Sequence, residues 1–290
     1  MATPLATPEI TPTPMATLEF SASGAEVKID CLVGPPDQYE SCLATEPGGT
    51  SMTFYLFLPK GYNPQTEYPL VLMLHGGGQR SDPAKTAEEN RAALIYDPYA
   101  EIWGPGFPQP YSTDVQGTWP CFVVLPQVES PNRFVDTLPG TGSYTLQPQP
   151  SDALRLSKEI VDTVQLMYHD IDANRRYITG VSLGGYGTWE AIERWPNYFA
   201  AAAPIAGAGD PSKAAELVNL PIWAFHGSKD TVVPVAASRD MIQAIRAAGG
   251  NPRYTEYAGA EHGVWVNPYT LLGTPSPTPE FFSWLFAQHK

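Results

Sequence analysis

The stretch Tyr177-Ile178-Thr179-Gly180-Val181-Ser182-Leu183-Gly184-Gly185-Tyr186-Gly187 decides the fold. A β-type run, Arg176 to Thr179, feeds into Gly180-Val181-Ser182-Leu183-Gly184, and a helical pattern leaves from Thr188 to Arg194. G-x-S-x-G between a strand and a helix presents its serine on a tight, strained turn, and a β-carbon at Gly180 or Gly184 would crowd the strand or the departing helix. Ser182 is therefore the candidate nucleophile. The following helix aims unpaired N–H groups and a partial positive charge at the same point, where an oxyanion would develop.

Upstream of this turn, Val27 to Cys31 and Met52 to Leu58 read as strands. Tyr68-Pro69-Leu70-Val71-Leu72-Met73-Leu74-His75 is a continuous apolar run that ends in Gly76-Gly77-Gly78. Such a run suits a strand buried on both faces of a parallel sheet. A helix is expected from about Pro83 to Tyr96, a further strand over Phe122 to Leu125, and an amphipathic helix from Asp152 to His169 capped by Ser151. Downstream, strands are expected at Ala200 to Ile205, Pro221 to His226 and Pro252 to Tyr257. Helices are expected around Ser212 to Val218, from Pro234 to Ala248 and from Glu280 to Gln288. This alternation predicts an α/β fold with a mostly parallel sheet of about eight strands and helices on both faces.

The chain of 290 residues has room for one large domain. Residues 1–17 repeat Thr-Pro with alanine between, a composition that forms no core and reads as a linker; the folded domain is expected over 18–290. Two irregular, aromatic-rich segments, 97–119 and 128–150, interrupt it and have the character of lids or binding loops. A formal charge of -13 argues against nucleic-acid and anionic-membrane partners and mildly favours neutral substrates. No apolar run is long enough to span a membrane.

Of three cysteines, Cys31 and Cys42 lie close enough in the early β-rich region for a disulfide in an exported protein, while Cys121 sits in an apolar run as a small hydrophobe. With no Cys/His cluster, no metal is expected. The Thr/Pro tract is similar to spacers behind removed export signals, so a secreted or surface-tethered protein is expected.

A serine hydroxyl needs a base, and the base needs a third group to fix its tautomer. Asp230, in His226-Gly227-Ser228-Lys229-Asp230, and His262, in Gly259-Ala260-Glu261-His262-Gly263, each follow a strand and complete that set. Asp210 and Glu261 are rival acids. Among the other histidines, His169 closes a helix and His289 lies at a terminus, while His75 suits a structural hydrogen bond and His226 a brace for the Asp230 loop. The oxyanion donors are expected to be the N–H of Leu183 and one from His75-Gly76-Gly77-Gly78, with Gly77 first choice and Gly78 second. Trp103, Trp119, Phe134, Tyr144 and Trp265 are candidates for an aromatic substrate wall.

The glycine run after His75, the Ser182 motif, the Asp230 motif and Glu261-His262-Gly263, in that order, resemble the α/β-hydrolase superfamily from about Met52 onward. The nearest branch is that of prolyl-oligopeptidase-like peptidases, polyhydroxybutyrate-depolymerase-like proteins and feruloyl or acetylxylan esterases. The resemblance implies serine-dependent hydrolysis of carboxylic esters, without metal or organic cofactor, on feruloyl-type or short-chain acyl esters of plant polysaccharide. A serine peptidase and a polyester depolymerase are the alternatives, and a non-catalytic binding module is a third. The chain has no propeller domain, which counts against oligopeptidase activity. Oligomeric state is not legible.

Overall fold

Strand β4, Tyr68–Leu74, is buried at all seven positions. Its side chains alternate between two cores: Tyr68, Leu70, Leu72 and Leu74 point into one, Val71 and Met73 into the other. Strand β5, Phe122–Gln127, divides in the same way, Phe122 and Val124 to the first core and Val123 and Leu125 to the second. Apolar runs without polar alternation are thus explained by a sheet covered on both sides.

The computed structural model of the chain describes residues 27–32, 38–97, 101–104, 114–138, 140–269 and 277–290. The expected linker at 1–17 and the middle of the 97–119 segment lie outside the described residues. The remaining strands are β1 Lys28–Leu32, β2 Glu40–Thr45, β3 Ser51–Phe57, β6 Ile171–Val181, β7 Ala201–Ile205, β8 Trp223–Gly227 and β9 Arg253–Tyr257. All nine join one sheet in the order β1-β2-β3-β5-β4-β6-β7-β8-β9. The first three strands and the β3/β5 contact are antiparallel, and every pairing from β5 to β9 is parallel.

On the first core lie α3 (Asp152–Met167), α4 (Leu183–Arg194) and α5 (Ala236–Ala247). The second core is covered by α1 (Ala87–Ile95), the short α2 (Val115–Thr118) and α6 (Val266–Tyr269), and α7 (Phe281–Phe286). Ser151 caps α3 as expected, its Oγ accepting the Leu154 N–H at 3.1 Å.

Three expectations shift. Strand β2, Glu40–Thr45, has no counterpart among the expected strands; it pairs antiparallel with both β1 and β3. Its register sets Cys42 opposite Cys31, and the two form the expected disulfide. Helix α1 begins at Ala87 rather than Pro83 because Thr86 and Glu89 form a capping box. Helix α4 begins at Leu183, five residues before the apolar periodicity reveals it, since Gly184, Gly185 and Gly187 carry no pattern.

Candidate active site

Strand β6 ends at Val181 and α4 begins at Leu183, so one residue makes the whole turn. That residue, Ser182, adopts φ 53° and ψ -112°, a strained conformation for a side chain with a β-carbon. Its amide donates to the Ile205 carbonyl at 2.9 Å, tying the turn to the end of β7. Chain direction in the parallel sheet brings the loops after β8 and β9 to the same rim.

The loop after β8 carries Asp230 and that after β9 carries His262. His262 Nε2 lies 2.8 Å from Ser182 Oγ, and His262 Nδ1 lies 2.7 Å from Asp230 Oδ2. A carboxylate beside Nδ1 keeps the proton there, which leaves Nε2 as an acceptor facing the serine hydroxyl. The Asp230 side chain is fully buried and that of His262 is 19% exposed. Asp230 Oδ1 accepts the N–H groups of Val232 and Val233, each at 2.8 Å. A buried carboxylate with donors on both oxygens has a fixed orientation.

The rival residues are occupied elsewhere. Asp210 accepts N–H groups from Leu146 and Ser212, and Glu261 is exposed. His75 donates from Nδ1 to the Gly76 carbonyl at 2.6 Å and accepts the Val128 N–H on Nε2 at 3.0 Å, which is the structural role its position implies. Burial pushes its pKa down to about 4. His226 contacts Asp230 itself, with Nε2 3.2 Å from Oδ2.

Beside Ser182 opens a cleft of about 230 Å³. Gly77 and Leu183 line it together with Ser182; Gly78 does not and is exposed. As the first residue of α4, Leu183 has an N–H without an intrahelical acceptor, and Gly77 opens a short 3-10 turn capped by Gly76. The remaining wall is mainly apolar, with Thr137 and two arginines as its polar members. Val135, Leu138, Tyr186, Val232 and Val233 supply the apolar surface, and Arg80 and Arg133 supply the charge. Leu138 is 71% exposed and Val232 49% exposed, so the rim offers apolar surface to a ligand. Neither arginine forms an ion pair with a described residue. In a chain of net charge -13, the cleft is thus locally cationic.

The expected aromatic wall does not form. Trp103 is completely buried and packs on Tyr269 and Phe282, while Trp119 stacks on Phe286 at 5.5 Å, both on the α7 side. Phe134 is buried under the site with its ring 5.1 Å from that of His75. Tyr144 donates to Glu190 and packs near Tyr186. Of the five candidates, Trp265 alone has a ring contact with His262, edge-on at 5.4 Å. The sequence could have flagged Val232 and Val233 beside Asp230, and Tyr186 among its glycines. Arg80, Arg133 and Leu138 carry no local signal.

Among the described residues, one group has metal-ligand proximity, Cys31, Glu40 and Cys42, and its thiols are joined in the disulfide. No described helix is long and apolar enough to cross a membrane.

The sheet order, the one-residue turn at Ser182 and the loops that meet there define an α/β-hydrolase fold. Residues 146–269 match the family model described as Dienelactone hydrolase family. A solved structure titled as a thermostable esterase is 33% identical and superposes with a TM-score of 0.67, covering 88% of this chain and 64% of that one. A bifunctional acetylxylan esterase/xylanase of Neocallimastix patriciarum is 35% identical over 94 residues, 32% of this chain and 14% of the relative. Poly(3-hydroxyalkanoate) depolymerase C of Paucimonas lemoignei is 30% identical over 167 residues, 58% of this chain and 33% of the relative. The chain thus spans a third or less of either curated relative.

Proposed function

We propose that the protein is a serine carboxylic-ester hydrolase working through an acyl-enzyme. The observation that carries this reading is the continuous hydrogen-bonded series Ser182, His262, Asp230 beside a cleft lined by two candidate oxyanion donors. In the reaction, Ser182 Oγ attacks the ester carbonyl while His262 Nε2 takes its proton. Asp230 holds the imidazole and stabilises its charged form. The Leu183 and Gly77 N–H groups receive the oxyanion; loss of one such donor costs about 2.7–4 kcal/mol in barrier height. His262 then protonates the departing alcohol, and water activated by the same imidazole releases the acid.

Short-chain acyl esters of polysaccharide are the substrate class best supported. The case for a feruloyl group rested on an aromatic wall, and the cleft beside Ser182 is mainly aliphatic. A second groove of about 790 Å³ shares Arg133 and Val135 with the cleft and presents Thr50, Ser51, Thr53, Glu129, Asn132 and Asp152. Hydroxyl, amide and carboxylate groups of this kind hydrogen-bond a polyol. The similarity to an acetylxylan esterase/xylanase points the same way. The disulfide supports an exported protein.

Polyester cleavage is the second reading, favoured by the depolymerase similarity and the exposed apolar rim formed by Leu138 and Val232. A rate panel separates these: p-nitrophenyl acetate and butyrate, acetylated xylan, methyl ferulate, a polyhydroxyalkanoate film and a proline-containing peptide. Acetate release from xylan with Ser182→Ala slowed about 10⁴-fold or more supports the first reading. Peptide cleavage without ester cleavage, or full activity in Ser182→Ala, overturns it.

A further inference from the structure

The acid of the triad has a donor that the three-residue scheme does not use. Oδ2 of Asp230, already bonded to His262 Nδ1 at 2.7 Å, is also 3.2 Å from Nε2 of His226. His226 lies in β8, and its side chain is fully buried. The same Nε2 is 3.0 Å from the Val233 carbonyl. Both neighbours of this nitrogen are acceptors, so an unprotonated Nε2 would face two oxygens with nothing between them. The proton therefore sits on Nε2.

The other ring nitrogen completes the assignment. Ser238 Oγ is 2.7 Å from His226 Nδ1 and 3.4 Å from the Gly207 carbonyl. A hydroxyl has one proton, and the shorter contact takes it, which makes Nδ1 an acceptor and the ring neutral. Burial also pushes the His226 pKa down. The charged and titratable groups acting on His226 are Asp230, His262 and Glu256, and Tyr186 also senses the Asp230 charge.

We propose that His226 is a positioning residue for ester hydrolysis: as a neutral Nε2–H donor it grips the Asp230 carboxylate from the side opposite His262, fixing Oδ2 and moderating its basicity. Val232, Val233 and His226 together replace the water that burial removed from this carboxylate. Without the His226 donor, more of the carboxylate's charge falls on His262, whose protonated form is then favoured. This deepens the esterase reading and rests on it.

The test compares His226→Phe, which cannot donate, with His226→Gln, which can, using p-nitrophenyl butyrate and rates normalised to active-site titration. For His226→Phe the acid limb of kcat/KM is expected to move up by about half a pH unit or more. Its kcat should fall about tenfold or more with KM little changed, and His226→Gln should recover most of both effects. A wild-type acid limb in folded His226→Phe overturns the proposal, because a merely structural role would lower stability alone. Should His226→Phe fail to fold, two-bond 1H–15N correlation spectra of the wild-type protein decide: the Nε2–H tautomer at His226 supports the assignment and the Nδ1–H tautomer overturns it. The spectra need no turnover, so an inactive wild type would sink the esterase reading and leave this result standing.

Discussion

Gly184 packs directly on Leu74: a β-carbon at 184 would overlap the Leu74 carbonyl and lie 2.9 Å from the His75 carbonyl oxygen. Helix α4 can thus close on the end of β4, where the glycine loop begins. The candidate nucleophile and the candidate oxyanion loop are set against each other by a contact only glycine permits. Gly184→Ala should push the helix away, costing about 1–3 kcal/mol of stability and about 100-fold in kcat through misplaced donors. Chemical denaturation and ester kinetics on the same preparation check both parts.

His75 should make the fold acid-sensitive. Burial holds its folded pKa near 4, against an ordinary value of 6.5. As pH falls below 6.5 the unfolded chain takes up a proton that the folded chain refuses until about pH 4. The stabilising contribution is complete above pH 6.5 and is lost between 6.5 and about 4. In His75→Gln, the drop in unfolding free energy between about pH 7 and pH 4.5 should shrink by about 2–3 kcal/mol. Urea melts at both pH values measure it.

Glu193 should act in the opposite direction. It is buried in α4, its Oε1 accepts the Asp210 N–H at 2.9 Å, and its Oε2 has no hydrogen-bond partner among the described residues. Burial, reinforced by the charges of Asp210 and Glu190, raises its pKa well above the ordinary carboxylate value. The folded state therefore prefers the protonated form, and this contribution is complete below about pH 4.5 and lost as pH rises through the folded pKa. Glu193→Gln should flatten the loss of Tm between about pH 5 and pH 8. An unchanged pH slope would show that Glu193 is not the group responsible. The site matters because Tyr144 and Leu146, bonded to Glu190 and Asp210, anchor the segment that continues from the cleft wall at Thr137, Leu138 and Gly140.

Trp103 belongs to the core rather than the substrate wall, so its removal should be felt in folding alone. Trp103→Ala should cost about 3–5 kcal/mol, with KM for a short-chain ester within about twofold of wild type per active site. A large KM increase with unchanged stability would return Trp103 to the binding surface.

The candidate site was legible in the sequence because its geometry depends on short-range constraints. Gly180 and Gly184 flank Ser182, and Asp230 and His262 each follow a strand that composition alone reveals. Ser151 announces its helix by the hydroxyl that caps it. Strand β2 and the early start of α4 were illegible for a common reason: a partner strand and close glycine contacts, rather than residue pattern, make those elements what they are.

What the sequence determined by itself was the order of Ser182, Asp230 and His262 along an α/β chain, each following a strand, since turn chemistry and apolar periodicity are local properties of the backbone. Only the tertiary structure decided that the cleft wall is aliphatic and bears Arg80 and Arg133, that the tryptophans at 103 and 119 face a core, and that His226 shares the Asp230 carboxylate with His262. Those outcomes depend on which side chains distant segments bring into van der Waals or hydrogen-bonding range, and packing settles that across separations such as the 80 residues between Ser182 and His262.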